Sequence, residues 1–306
     1  MPRSRCTPPP ACASASPTTW KRKRVASRNL RLLRELATAA VRRGFCLALL
    51  FAACGPAPAP GPATRVVSLA PNVTEMIYAL GDGDVLAGTD ATSDFPIAAK
   101  ALPKVGNGLT PNIEKIVALR PTLVVAIAAG LHPNLPRALQ AQHIPLLVVR
   151  TDRLADVPRA MSEIRDHIGR ARTPAVASML HALQQQRRTR AKPPRILFVV
   201  WGDPLYIAGR ETFTDDLFGI CGVRNAASVS GWPQYSLESL IAAPPDLLLY
   251  PDRSVSRAQI EALAARAKLK CEIDPVDENV FVRPGPRMAE AAAALNRIVD
   301  RWERSH

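Results

Sequence analysis

From residue 65 onward the chain alternates two kinds of segment. One is a short, nearly continuous aliphatic run, found at 65–70 (RVVSLA), 85–89, 123–128, 145–149, 195–200 and 246–250. Runs of this kind read as strands buried on both faces, the pattern of a parallel sheet covered by helices. Between them lie segments that predict helices, at 73–80 stopping at Gly81, at 214–221 stopping at Gly222, at 256–268 and at 288–304. A further strand is predicted near 279–282. Trp302 falls in register with Leu295 and Ile298 on the last helix, a packing position.

One unit is written twice. Residues 112–125 (NIEKIVALRPTLVV) and 236–249 (SLESLIAAPPDLLL) stand 124 positions apart. In each, a capping side chain (Asn112, Ser236) precedes a glutamate by two residues (Glu114, Glu238), and a proline (Pro121, Pro245) precedes an aliphatic strand. A single α/β domain has no need of the same helix-then-strand unit in register twice, so the chain is expected to form two similar lobes with a cleft between them. Residues 174–191 carry Val176, Met179, Leu180 and Leu183 on one helical face and connect the halves. The expected division is a lobe over 65–170, a linking helix over 171–192 and a second lobe over 193–306. A single helix is a stiff link, so the cleft is expected to close by small tilts.

Charge changes the picture only when it is located. Of the formal +14, residues 1–53 hold eleven Lys and Arg against one acid, Glu35, which leaves +4 for residues 54–306. The basic run Lys21–Arg24 lacks interleaved aromatics, so no nucleic-acid partner is expected. Residues 42–55 (RRGFCLALLFAACG) join two arginines, a short apolar run and small residues before Cys54, and resemble a bacterial lipoprotein signal peptide with Cys54 as the lipidated residue. Residues 1–53 are then a leader, and initiation at Val41 would make residues 1–40 untranslated. Residues 54–64 are a Pro/Ala/Gly tether, and 253 residues remain from Cys54 to His306.

Of six cysteines, only Cys221 and Cys271 stand in the folded body. Outside the cytoplasm they either pair as a disulfide or serve as two separate buried thiols. The five histidines show no metal-ligand spacing, and no nucleophile elbow, phosphate loop or CxxC is present, so neither an enzyme nor a metal site is expected. His132, in the loop AAGLHP, either touches a ligand or is solvated. Trp201, at the end of its strand, either faces the cleft or plugs the lobe. Pro71 and Asn72 either offer backbone donors at a helix start or form a turn.

In this order, RVVSLAPNVTE (65–75), SDFP (93–96), NIEKIVALRPTLVV, GWPQYSLESL (231–240) and RPGPR (283–287) resemble the cobalamin-type periplasmic substrate-binding proteins of ABC importers, of the helix-linked class III. The resemblance implies an α/β fold of two lobes with mostly parallel sheets joined by one long helix, and a ligand held at the C-terminal ends of the strands. It implies a monomer without a cofactor, lipid-anchored in the periplasm, that delivers a corrinoid to permease subunits. Trp232 matches a tryptophan of the corrinoid site and Arg283 a basic residue of the far wall. Thr92 stands where tyrosine is common, and Gly108 and Ile127 where tryptophan stands. Trp201 and Tyr206 add aromatic surface from the second lobe. Glu114 and Glu238 match the acids that dock on the permease. The alternative is haem or a ferric siderophore, with Tyr206, Tyr250 or His132 as the iron ligand.

Overall fold

The computed structural model describes residues 64–169 and 173–306; the leader, Cys54 and nearly all of the tether lie outside the described residues. The first lobe is a four-stranded parallel sheet, β1 (Val66–Ser68), β2 (Leu86–Gly88), β3 (Leu123–Ile127) and β4 (Leu146–Val149), in the order β2-β1-β3-β4. Alternate residues of each strand enter opposite cores. Val66 and Val125 face helices α1 (Pro71–Ala79) and α4 (Asp156–Ile168), while Val67 and Val124 face the side of α2 (Ile113–Ala118) and α3 (Leu135–Ala141). The chain turns into α1 at once because Pro71, in the first helical turn, has its φ preset and lacks the N–H that would otherwise go unpaired there.

The second lobe repeats the plan. Strands β5 (Arg195–Gly202), β6 (Leu205–Ile207), β8 (Leu247–Pro251) and β9 (Glu272–Val276) run in the order β6-β5-β8-β9, and the short β7 (Arg224–Asn225) also pairs with β5. All pairings are parallel except the β5–β6 hairpin. On one face Ile196, Phe198, Leu247 and Leu249 pack on α6 (Phe213–Ile220) and α10 (Met288–Ser305). On the other, Leu197, Val199, Leu248 and Tyr250 pack on α7 (Leu237–Ala242) and α8 (Arg257–Arg266).

The repeated unit has the same geometry in both lobes. Asn112 Oδ1 accepts from Lys115 N at 2.9 Å and Ser236 Oγ from Ser239 N at 3.1 Å, each capping a six-residue helix that leads into a strand paired on both edges. Between the lobes, α5 (Ala175–Gln185) puts Met179 into the first lobe's core and Leu183 into the second's. It is shorter than the expected 171–192: after Gln186 the backbone turns away, and Arg188 N donates to Ile220 O at 2.9 Å.

Two expectations are corrected. The strand near 279–282 is a helical turn, α9 (Glu278–Phe281), capped by Asp277, whose side chain accepts from Asn279 N at 2.9 Å. The edge strand is instead β9, whose sequence EIDPV breaks the apolar run because an edge needs neither two buried faces nor every N–H, so Pro275 is accommodated. Cys221 and Cys271 are free thiols, not a disulfide. Cys221 lies in the core on the α6 side of the sheet and Cys271 packs against the core on the α8 side, so the sheet separates them.

Candidate functional site

The loops that leave the C-terminal ends of both sheets enclose a cavity of about 300 Å³ between the lobes. Pro71, Asn72, Ile127, Ala129, Thr151 and Asp152 supply the first lobe's wall, following β1, β3 and β4. Phe213, Trp232, Val282, Arg283 and Pro284 supply the second's. The two walls differ in chemistry. Trp232 and Phe213 sit with ring centroids 5.2 Å apart and form an apolar shelf, and Trp232 stays 41% exposed. Opposite them stands a polar corner, where Asn72 Nδ2 donates to Thr151 Oγ1 at 3.3 Å and to Pro284 O at 3.1 Å, reaching across the lobes. Asp152 beside it pairs at 2.7 Å with Arg150, which is 74% exposed. A larger hollow of about 430 Å³ lies between residues 188–192 and the end of α10. It opens at the N-terminal end of β5, where parallel sheets do not hold ligands, and Arg190 in its wall is spent on Asp300 and Glu303.

Next to the cleft the lobes are tied by charge. Glu75 on α1, its side chain only 2% exposed, accepts from Arg287 Nε at 2.8 Å and Nη2 at 2.7 Å, and lies 3.4 Å from Arg283. Arg283 also donates to Asp94 Oδ1 at 2.6 Å and to Thr92 O at 3.2 Å. Arg287 crosses the Phe95 ring at 4.1 Å from its centroid. Burial works against the Arg287 charge, but the hydrogen bond and charge of Glu75 outweigh it and raise its pKa. Burial likewise pushes the Asp94 carboxyl up, yet Arg283, by hydrogen bond and charge, and Arg253 hold it below the usual carboxylate range. A second tie joins Arg153 to Asp216 through two hydrogen bonds, the one from Nε at 2.8 Å, and Leu154 N donates to the same carboxylate at 3.0 Å. The bond to Asp216 raises the Arg153 pKa.

Of the residues singled out from the sequence, Pro71, Asn72, Ile127, Trp232 and Arg283 line this one cavity. Thr92 stands at its margin: its carbonyl holds Arg283 and its hydroxyl donates to Asp90 at 2.5 Å. Gly108 does not line the cavity; its N–H donates to Leu69 O at 3.1 Å and its carbonyl accepts from His132 N at 2.8 Å. A Cβ there would lie 3.2 Å from Gly130 O, so any larger side chain would require the 130 loop to give by a few tenths of an ångström. Trp201 and Tyr206 face each other across the β5–β6 hairpin, exposed and outside the cavity lining, and Trp201 Nε1 donates to Asp203 O at 3.0 Å. Tyr250 is buried in the second lobe's core. His132 lines a separate hollow, and its Nδ1 accepts from Asn134 N at 3.2 Å. Trp302 packs partly buried on the second core. Glu114 and Glu238 are exposed, one per lobe; the backbone amide of Glu238, then Ser236, hold its carboxyl below the usual range. Sequence reasoning missed Phe213, Thr151, Asp152, Val282 and Pro284. It also missed the Glu75–Arg287 tie, although the motifs PNVTE and RPGPR end on those two charges.

Among the described residues no cluster of His, Cys, Asp and Glu is disposed to hold a metal, and no helix is long and apolar enough to cross a membrane. Residues 66–270 match the Periplasmic binding protein family. The vitamin B12-binding protein of Pectobacterium atrosepticum is 30% identical over 243 residues, covering 76% of this chain and 86% of that protein. Among solved structures, the periplasmic vitamin B12-binding protein BtuF of Vibrio cholerae aligns with a TM-score of 0.65 at 26% identity, over 77% of this chain and 96% of its own. The periplasmic heme-binding protein RhuT from Roseiflexus sp. RS-1 aligns equally well, with a TM-score of 0.65 at 25% identity over 77% and 97%. Family membership makes the chain a binding component of transport and not an enzyme, with any bound molecule as cargo and not as cofactor. Two parallel-sheet lobes, a cleft at their strand ends and a family match across both lobes agree, and the chain belongs to the periplasmic binding protein family.

Proposed function

We propose that this chain captures a corrinoid in the inter-lobe cleft and delivers it to an ABC importer. The observation that carries the choice of ligand is the composition of the cavity wall: an aromatic shelf, Trp232 on Phe213, faces a polar corner, and no His, Tyr, Cys or Met stands among its described lining residues. A haem site needs one of those side chains on the iron. A corrinoid brings its own axial ligand, so an aromatic shelf and a few polar contacts suffice. The relatives named vitamin B12-binding protein support the same choice. In this reading Trp201 and Tyr206, exposed on the β5–β6 hairpin, meet the part of a flat ligand that reaches beyond the cavity. Thr92 holds Arg283 in place through its carbonyl. The second reading is haem, with Tyr206 as the iron ligand, and it is favoured by neighbours such as the heme-binding RhuT.

In this reading Cys54 carries the lipid, residues 54–64 tether a monomer to the membrane of the periplasm, and Glu114 and Glu238 meet the two permease subunits. The test is calorimetry with cyanocobalamin on the parent and on Trp232→Ala. Truncating a desolvated aromatic contact typically costs about 2 kcal/mol or more, roughly thirtyfold in affinity. Unchanged affinity in Trp232→Ala would remove the shelf from the site. Heat with hemin alone, abolished in Tyr206→Phe, would establish the haem reading instead.

A further inference from the structure

The cleft has an electrostatic character that its apolar shelf conceals. Arg283 is the only cationic side chain lining it among the described residues, and that guanidinium is committed: Glu75, Asp94 and the Thr92 carbonyl take its donors, and its side chain is 10% exposed. On the opposite wall Asp152 lines the cavity, and its carboxylate is paired through Oδ2 with Arg150, which lies 74% exposed in solvent. An exposed pair of that kind is worth only about 0–1 kcal/mol, so it does not hold the Asp152 carboxylate, itself 35% exposed, against a ligand N–H that competes for it. The neighbouring polar groups do not offset that charge. Asn72 spends its amide N–H groups on Thr151 and Pro284, and its Oδ1 accepts from Val73 N at 3.0 Å. The polar corner therefore offers acceptors and a negative charge, and no unspent cation.

We infer that Asp152 is a specificity residue that selects ligands with amide N–H groups at this edge and rejects ligands with carboxylates there. This inference rests on the tetrapyrrole-binding reading above. A corrinoid edge carries carboxamides, whose N–H groups donate to Asp152 and to the Thr151 oxygen. A haem edge carries propionates, which meet a like charge with no cation to offset it. Repulsion of a wrong partner discriminates as well as attraction of the right one.

The test measures affinities of four ligands, cyanocobalamin, its monocarboxylic acid formed by hydrolysis of a peripheral amide, hemin and hemin dimethyl ester, against the parent, Asp152→Asn and Asp152→Ser. Circular dichroism and melting temperature confirm that each variant is folded. In the parent, the amide form of the corrinoid should bind about tenfold more tightly than the acid, as expected for exchanging one accepted N–H for one like-charge contact in a partly enclosed site. Both variants should bring that ratio to within about twofold of one, chiefly by tightening the acid. A ratio near one in the parent, or one that stays the same in both variants, overturns the role of Asp152 while leaving corrinoid binding intact. Hemin binding more tightly than its dimethyl ester, with no cyanocobalamin binding, overturns the inference and the corrinoid reading together.

Discussion

Removal of the Glu75 carboxylate should destabilise the whole two-lobed body, because that group is the centre of the tie between lobes. In Glu75→Ala, Arg287 loses two charge-assisted hydrogen bonds, at 2.8 and 2.7 Å, in a site where its side chain is 11% exposed. Breaking a buried pair by deleting one partner costs about 3–5 kcal/mol, since the remaining charge stays desolvated and uncompensated. Two features place the expected value near the lower end. Arg287 retains the Asn279 carbonyl at 2.9 Å and the Phe95 ring, and Arg283 retains Asp94 and Thr92 O. About 3 kcal/mol corresponds to a fall in Tm of roughly 6–12 °C for a body of this size. Urea or thermal unfolding followed by circular dichroism measures it. Glu75→Met combined with Arg287→Met should recover much of the loss, because two apolar side chains of similar volume leave no orphaned charge. The site reasoning is refuted if Glu75→Ala unfolds within about 0.5 kcal/mol of the parent, the range of ordinary surface substitutions, or if the double variant is less stable than either single one.

Asp94 gives the same tie a pH dependence. Its pKa in the folded chain lies below the ordinary carboxylate value, so its contribution is present at neutral pH and is lost as pH falls below about 4 and through the depressed value. Asp94→Asn should therefore be less stable than the parent at pH 7, with the gap closing toward pH 3; a constant gap would show that Arg283 does not depend on the Asp94 charge. Reversal of both exposed acids, Glu114→Lys with Glu238→Lys, should leave corrinoid affinity within about twofold, since neither reaches the cleft, while uptake and ATPase stimulation in reconstituted vesicles fall. Parent-level uptake would reduce the two glutamates to helix-end residues. Digestion without reductant should yield no peptide linking Cys221 to Cys271, and Cys221, whose thiol burial pushes to about 12, should resist alkylation at pH 8 until the chain is unfolded. A cross-linked peptide would contradict their placement on opposite faces of the sheet.

The elements most legible in the sequence are those whose signal is local or repeated. Strands buried on both faces, such as Leu123–Ile127 and Leu247–Pro251, announce themselves as aliphatic runs. The caps Asn112 and Ser236 mark helix starts because the capping hydrogen bond spans only three residues. The two-lobe plan follows from seeing that unit twice, and the motif order pointed to the family. The edge strand Glu272–Val276 was lost in the sequence because an edge tolerates Asp274 and Pro275, and periodicity sees burial more than pairing.

Only the tertiary structure decided which loops share the cleft and which charges are already occupied. Phe213 reads as an ordinary helix residue until its ring is found beside Trp232. Arg283 reads as a free cation for a ligand until Glu75, some 208 positions away in sequence, and Asp94 are found on it. Asp152 reads as a loop acid until the Arg283 opposite is seen to be spent. The physical reason is common to all three. A capping bond or an apolar run is fixed by neighbours in the chain, whereas the net charge of a cleft depends on which groups from distant segments have been brought within hydrogen-bond reach, and a linear sequence carries no distances between those segments.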